Sequence, residues 1–312
     1  MILGGEPVRR LLTAGLLSLV PGIAVGQQLT PDENRTVNVN YVYASQLGIG
    51  TYDVGGLSVN VYTLPFAIDR SLDGLFGLEV PFDNAEDWTI SLKFPVSYGI
   101  FDFSAFDSTV GQIDITQRTL SLVPGLALDI PIEEHWRLRP TVNFGVGGVV
   151  DSSGPGADDN NVFMIYSAGL SSLYEIPSGP YTFALGNGFT FAGNRDFGED
   201  GFKENYWAIE TGVQLRRTLG FTLGDIGLSG TSFADVEPEI GPYFIHYYFP
   251  DPLVFSRFGE SPLEVDNQYE FGVSFGSATD WDLLFLKNPE LGASYIFGDG
   301  LKVVRVNFGF PF

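Results

Sequence analysis

The chain has 312 residues and carries 38 Asp and Glu against 16 Lys and Arg, a formal net charge of −22. That acidity argues against binding to a nucleic-acid backbone, whose affinity comes from clustered Lys and Arg. Cysteine is absent, so disulfide scaffolds and thiolate metal sites are excluded. The 39 glycines, 14% aromatic residues and only 17% charged residues favour β-structure and suit a membrane, since a typical soluble domain has about 25% charged residues.

The N-terminal segment has the three parts of a secretory signal. Arg9 and Arg10 form a positive start, residues 11–20 form an apolar stretch, and residues 24–26 (Ala-Val-Gly) give a small-x-small cleavage pattern. We therefore predict a cleaved signal peptide over residues 1–26 and a single mature domain over 27–312. A retained helical anchor is the alternative. Beyond this segment no apolar run reaches the roughly 18 residues that indicate a membrane-spanning helix.

The mature chain alternates between large apolar residues and small or polar residues with a period of two. In residues 88–99 one face carries Trp88 and Leu92, while the other carries Ser91 and Lys93. This period indicates β-strands, because the apolar positions of an amphipathic helix recur every three or four residues. The runs are about 10 to 14 residues long, and a tilted strand crossing a bilayer needs about 9 to 11. We predict membrane-spanning strands, and a soluble β-sandwich is the alternative that alternation leaves open.

Aromatic residues near the strand ends favour the membrane, because transmembrane barrels carry aromatic girdles at both interfaces. These residues are Trp88, Trp136, Tyr174, Tyr181, Trp207 and Trp281.

The strand count is predicted as about 12, or 14. About 12 strand-like segments follow Trp88, residues 36–44 and 57–68 could add a pair, and bacterial barrels normally have an even number. Short connections at 131–135 and 176–180 alternate with longer ones, as periplasmic turns alternate with external loops. We predict an all-β fold, an antiparallel up-and-down transmembrane β-barrel. The longer connections are predicted at 101–116, 149–161 and 193–205.

The chain ends on an alternating strand. Its predicted apolar face consists of Val304, Val306, Phe308, Phe310 and Phe312. A terminal Phe that closes such a strand resembles the assembly signal of Gram-negative outer-membrane β-barrels. The resemblance implies that the barrel assembly machinery recognises this strand. It also implies that the protein resides in the cell outer membrane, among lipid and lipopolysaccharide.

A narrower resemblance lies in the last two strands. The sequence Tyr-Ile-Phe-Gly-Asp-Gly at 295–300, running into Phe-Gly-Phe-Pro-Phe at 308–312, resembles the end of the solitary autotransporter-like outer-membrane barrels. That family implies a translocator-type barrel of about 12 strands without a long passenger. It implies no catalytic residues and no cofactor.

One sequence match points to hydrolysis. Residues 272–276 match G-x-S-x-G, with Ser274 in the nucleophile position. The nucleophile elbow needs a sharp turn between a strand and a helix, whereas Ser274 falls inside a predicted strand. His246 would complete a hydrolase only if neighbouring strands brought it to Ser274, because the imidazole must accept the proton of the nucleophile. His135 lies in a short turn beside two glutamates, and neither a metal-binding His motif nor a P-loop is present.

Charged residues on the polar faces of the strands are expected to face the lumen. Charges on an enclosed surface need partners, so mutual neutralisation is their expected role, with Asp129 as a further partner. The alternative is a polarised constriction that selects small solutes. The predicted lumen charges are Lys93, Arg137, Arg139, Glu210, Arg216, Glu270 and Arg305.

Two predicted external loops are acidic. Solvation is their default role, and divalent cations bridging to the anionic outer leaflet are the alternative, since carboxylates are ligands of hard cations. The residues are Asp151, Asp158 and Asp159 in one loop and Asp196, Glu199, Asp200 and Glu204 in the next.

The leading hypothesis is an integral outer-membrane β-barrel with a structural, surface-interaction or translocator-like role and no catalysis. A narrow passive channel for small solutes is the second hypothesis. An outer-membrane hydrolase using Ser274 and His246 is the third.

Overall fold

A computed structural model describes most of residues 49–312. The predicted signal peptide at 1–26 and the predicted strand at 36–44 lie outside the described residues. The residues described are 49–54, 57–64, 67–71, 88–107, 111–153, 162–196, 203–228, 234–255, 263–279, 282–283, 286–287, 290–307 and 310–312.

Twelve strands that form the barrel follow one another along the described residues. The first four are β1 (Ile49–Val54), β2 (Leu57–Leu64 and Ala67–Ser71), β3 (Thr89–Lys93 and Val96–Asp107) and β4 (Gly111–Leu122 and Gly125–Glu133). The next four are β5 (Trp136–Ser153), β6 (Val162–Ser178), β7 (Tyr181–Asp196) and β8 (Lys203–Thr218). The last four are β9 (Pro238–Phe255), β10 (Leu263–Ser277), β11 (Leu291–Gly298) and β12 (Leu301–Asn307).

The smaller elements lie in connections between these strands. A single helical turn at Gly224–Leu228 follows β8, and a short hairpin pairs Asp282–Leu283 with Leu286–Lys287 after β10. No helix in the described part of the chain has the length and apolar character needed to cross a bilayer.

Each strand pairs antiparallel with the next, and β12 pairs back onto β1. The closing ladder runs from Ile49 opposite Val306 to Val54 opposite Leu301. The predicted antiparallel up-and-down β-barrel is confirmed. The ring closes with twelve strands, so the lower of the two predicted counts is the correct one.

The interruptions of β3 and β4 coincide with prolines. Pro95 and Pro124 lack the N–H that a ladder position donates, so each one breaks its strand locally. The ladder continues around them, because Val123 N–H donates to the Pro95 carbonyl at 3.2 Å and Phe144 N–H donates to the Pro124 carbonyl at 2.9 Å. Two runs separated by such a break belong to one strand, so ten barrel strands rather than twelve follow Trp88 in the described part of the chain.

One predicted external loop is wrong. Most of residues 101–116 belong to the hairpin of β3 and β4, which pair as far as Asp107 opposite Gly111. The predicted upstream strand at 57–68 corresponds to β2, which pairs with β1.

The two faces of the wall differ as predicted. Large apolar side chains at alternate positions point outward, and Phe144 remains 60% exposed. The intervening small or polar side chains point inward and are buried, as Ala184, Ala208 and Gln214 are. We call the end of the barrel that carries the short turns at 134–135 and 179–180 the turn end, and the opposite end the loop end. β12 and the chain finish at the turn end.

The face assignment predicts a depth-dependent cost for charge on the outer surface. Phe144→Arg, in the middle of β5, should lower the free energy of unfolding in lipid vesicles by about 2–4 kcal/mol, and Val150→Arg, near the loop end of the same strand, by about 0–1 kcal/mol. Phe144→Leu is the matched control and should cost much less than the Arg substitution. Equal costs at Phe144 and Val150 would contradict the assignment.

Candidate functional site

The predicted lumen charges all lie on the inner face of the wall. They alternate with the outward apolar residues on β3, β5, β8, β10 and β12. Most of them form two groups. We call the first the seam cluster, because it lies beside the β1–β12 closure, and the second the turn-end cluster.

The seam cluster is built around an ion pair between Arg305 and Glu270. Arg305 Nη2 donates to Glu270 Oε1 at 2.7 Å and to Oε2 at 2.6 Å, and Arg305 Nε donates to Oε1 at 3.1 Å. The two side chains are only 2% and 0% exposed. Ion pairs of this kind are short and strong, because both partners are charged and the guanidinium is planar.

Neutral donors complete the coordination of the Glu270 carboxylate. Tyr247 Oη donates to Oε2 at 2.7 Å, and Tyr243 Oη donates to Oε1 at 3.0 Å. Asn307 Nδ2 donates to Glu270 Oε1 at 3.3 Å and also to Tyr243 Oη. A buried ion pair is tolerated only when further hydrogen bonds satisfy its remaining polar atoms, and these donors meet that requirement for the carboxylate.

The turn-end cluster links β4, β5, β6, β8 and β9. Arg139 forms a bidentate pair with Asp129, at 2.6 Å and 3.1 Å. Arg216 lies between two carboxylates, with Nη2 bonded to Glu175 and Nη1 3.3 Å from Glu239 Oε1. Arg137 donates to the second oxygen of Glu175 at 3.3 Å, in a more exposed position.

The turn-end cluster therefore pairs three guanidinium groups with three carboxylates. The mutual neutralisation predicted for the lumen charges describes this arrangement. Of the other two predicted lumen charges, Glu210 is buried and accepts from Thr190 Oγ1 at 3.4 Å, and Lys93 lies on the inner face of β3.

The proposed hydrolase pair is wrong. Ser274 points into the lumen, where it accepts from Gln214 Nε2 at 2.9 Å and donates to the Gly241 carbonyl at 3.2 Å. His246 is on the outer face, stacked on Tyr269 with ring centroids 5.0 Å apart and hydrogen-bonded to Asn267 at 3.0 Å. The wall of the barrel separates the two side chains, and the G-x-S-x-G match lies inside β10.

The two tyrosines of the seam cluster are not among the predicted lumen residues. Tyr243 and Tyr247 belong to an aromatic run at 243–249 in which both faces are large, so the period of two is hidden. Their position along the strand identifies their face, because residues two apart in a strand share a face. Both tyrosines therefore lie on the same face as Gly241 and Glu239, opposite the exposed Tyr248. Among the described residues no group of three His, Asp or Glu side chains is placed to hold a metal ion.

The end of the chain departs from the predicted apolar stripe. Val304 and Val306 are exposed on the outer face of β12, as predicted. Phe310 and Phe312 are not on that face, because β12 ends at Asn307 and the last residues turn inward. Phe312 lies over the inner surfaces of β7 and β8, against Gly186 and Gly212. Phe308 lies outside the described residues.

Comparison with known proteins yields structural similarity alone. No protein-family model and no curated protein matches the chain. The β domain of the Bordetella autotransporter BrkA matches with 11% identity and a TM-score of 0.47, over 84% of this chain and 96% of that one.

Two further solved structures match over 84% of this chain. The translocator domain of the autotransporter NalP from Neisseria meningitidis has 12% identity, a TM-score of 0.44 and 85% of its own length covered. The transport unit of the autotransporter AIDA-I from Escherichia coli has 12% identity, a TM-score of 0.45 and 88% covered. No residue of this chain takes a role from these similarities.

The seam cluster predicts strong coupling between Glu270 and Arg305. Glu270→Ala leaves a buried guanidinium without its carboxylate and should lower the free energy of unfolding by about 3–5 kcal/mol. Arg305→Ala in the Glu270→Ala background should cost much less than it does alone. Arg137→Ala, in the exposed pair with Glu175, is the control and should cost about 1 kcal/mol or less. Urea titrations in lipid vesicles measure all four variants, and additive effects at 270 and 305 would contradict the cluster.

Proposed function

We propose that the protein is an integral outer-membrane β-barrel with a structural, surface-interaction or translocator-like role and no catalysis. The main support for this proposal is that the polar and apolar surfaces of the barrel are exchanged relative to those of a soluble protein. The barrel has an apolar exterior and a charged, hydrogen-bonded interior. In water such an exterior would be a very large exposed apolar patch, whereas in lipid it is solvated.

The outer surface of β2 to β12 supports a membrane location. Exposed large apolar side chains occur on strands from β2 to β12, on the outward positions alone. Examples are Tyr62, Leu120, Val142, Leu170, Phe183, Ile209, Phe271, Leu291 and Val304.

Aromatic residues mark two levels on this surface. At the turn end Tyr181 lies opposite Arg217, whose guanidinium carbon is 5.5 Å from the tyrosine ring centroid. Nearer the loop end Trp207 packs on Phe191, with ring centroids 4.4 Å apart. Arg217 and Trp207 are ten residues apart on β8. At about 3.3 Å per residue and a tilt of about 40°, these levels are about 25 Å apart, the height of the apolar band of an outer-membrane barrel.

The interior favours a wall or anchor over an open channel. In both clusters the charged side chains form ion pairs with side chains on other strands of the wall. The end of the chain occupies the lumen at the turn end. Planar-bilayer recordings of the refolded protein test this role. We expect no stable single-channel conductance, and a steady ohmic conductance would favour the passive channel instead.

The exported chain would also need a partner that inserts it. We propose that the barrel assembly machinery recognises the C-terminal strand before folding, through Val304, Val306, Phe308, Phe310 and Phe312. The outward Val304 and Val306 then contact lipid in the folded barrel. The lipopolysaccharide contact expected of the acidic loops stays a proposal; Asp151 is paired with Arg118.

A location in the outer membrane predicts how the protein fractionates from cells and how it migrates on gels. The protein should fractionate with the outer membrane and migrate differently on gels before and after boiling in detergent. The refolded protein should give a circular dichroism spectrum dominated by β-structure, because the hydrogen-bonded ring persists in detergent. Recovery of the mature chain as a detergent-free periplasmic species would refute the membrane assignment.

The recognition step predicts a difference between cells and purified protein. Deleting Phe312 should lower the amount of assembled protein in cells by more than it lowers the stability of the refolded barrel. One aromatic residue adds little to a structure held by a closed ladder and its lipid face. Lys302→Ala, on the same strand, is the control and should leave assembly near normal. Normal assembly of the Phe312 deletion would contradict recognition through this residue.

A further inference from the structure

The last three residues of the chain lie inside the barrel. Phe312 is 8% exposed, and its ring centroid is 4.9 Å from that of Phe310. Phe310 in turn lies 5.9 Å from the ring of Tyr243, a member of the seam cluster. Pro311 between them is exposed. Phe312 is therefore buried and Phe310 half-buried, and both rings are turned away from the outer surface.

The wall opposite this tail has three inward glycines: Gly186 and Gly188 on β7 and Gly212 on β8. Gly186 and Gly212 are direct cross-strand neighbours. A Cβ atom at Gly186 would stand 2.3 Å from the Phe312 ring, and one at Gly212 would stand 2.7 Å from Phe312 and 2.9 Å from Phe310. At Gly186 and Gly212 the rings thus lie directly on the backbone, at a distance that only glycine permits, whereas a Cβ at Gly188 would stand 3.4 Å from Phe312. We call these three residues the glycine niche.

Glycine has a cost at such positions. It weakens a strand, because it offers no side chain to pack and loses more backbone freedom on folding. Gly186 and Gly212 nevertheless form a cross-strand pair in long, regular strands. The close approach of the Phe310 and Phe312 rings accounts for this pair, because a side chain at either position would collide with them.

Residues 310–312 lie far around the ring from the strand that they follow. β7 and β8, against which Phe312 packs, are five and four strands from β12. There Phe312 borders the turn-end cluster, beside Arg137, Arg139, Asp129, Ser171 and Leu173.

We propose that residues 310–312 form an intramolecular plug that docks in the glycine niche and closes the turn end of the barrel. The niche faces the tail only when β12 has paired with β11 and β1, so docking follows ring closure. Docking then withdraws Phe310 and Phe312 from any partner that binds the unfolded C-terminal strand. The plug itself does not depend on the identity of that partner or of the membrane.

The absence of cysteine permits a direct test of closure. Ser171→Cys places a single thiol on the lumen wall where it borders Phe312, and the unsubstituted chain contributes no background. The protein is refolded in detergent, and its modification by a charged, sulfonated thiol reagent is timed. Deleting residues 310–312 should speed modification about tenfold or more, because the docked ring that covers the site is gone. Ser178→Cys, exposed at the turn end of β6, should react at the same rate with and without the tail.

A second variant keeps the tail and changes the niche. Gly186→Ala, made in the Ser171→Cys background, displaces the Phe312 ring and should raise the modification rate of the introduced thiol in the same direction as the deletion. Gly276→Ala is the matched control. Gly276 lies on the inner face of β10, and its added methyl would meet the Glu290 side chain at 3.3 Å rather than the tail. It should leave the rate unchanged.

Boiling-dependent gel migration establishes that each variant retains the barrel. Equal modification rates of the Ser171→Cys thiol with the tail intact and deleted, in barrels that pass this check, would overturn the plug. If the membrane assignment is wrong, the protein would be recovered as a soluble species without detergent. The comparison of modification rates would still test the plug in that case.

Discussion

The structure depends on the pairing of β1 with β12. This ladder joins only six residue pairs, yet it converts a sheet with two open edges into a ring. In lipid each unpaired backbone group costs several kcal/mol, so an open edge is not viable across a membrane. Ring closure also creates the distinction between inside and outside. Until it forms, the inward positions of β7 and β8 face solvent, and neither a lumen nor a niche for the C-terminal tail exists.

The buried ion pair lies beside the closure of the ring, where several strands are short. β1, β11 and β12 have six, eight and seven residues, whereas β5 on another part of the wall has 18. Arg305 on β12 and Glu270 on β10 connect across β11, and the tyrosines extend the network to β9. Side-chain bonds thus link four consecutive strands beside the closure. In the low dielectric of an enclosed lumen such a network is strong when fully satisfied and costly when broken.

The turn end combines charge neutralisation with aromatic packing. Glu175 accepts from both Arg137 and Arg216, so one carboxylate ties β5 to β8 through β6. Phe312 borders the same cluster from the lumen side, where it lies beside Arg137, Arg139 and Asp129. The aromatic end of the chain and the charged pairs therefore meet at one end of the lumen.

Local periodicity predicted much of this protein. The alternation in residues 88–99 marks both the strand and its outward face, because side-chain direction in a strand is a local property of the backbone. The same alternation predicted which charged residues point into the lumen. Because charges in an enclosed space need partners, it also predicted that these residues neutralise one another. Sequence periodicity does not specify which charge meets which, since Glu270 and Arg305 are 35 residues apart and meet only through strand order. The same periodicity placed Phe310 and Phe312 on the outer face, because it extended a strand that in fact ends at Asn307. It also left Ser274 and His246 as a possible pair, although the two residues lie on opposite faces of the wall.

Period and composition alone determined that the chain forms long strands with one apolar face. Tertiary structure decided the ring of twelve, the ion-pair partners and the inward turn of the tail, because all three depend on contacts between residues that only the closed barrel brings together.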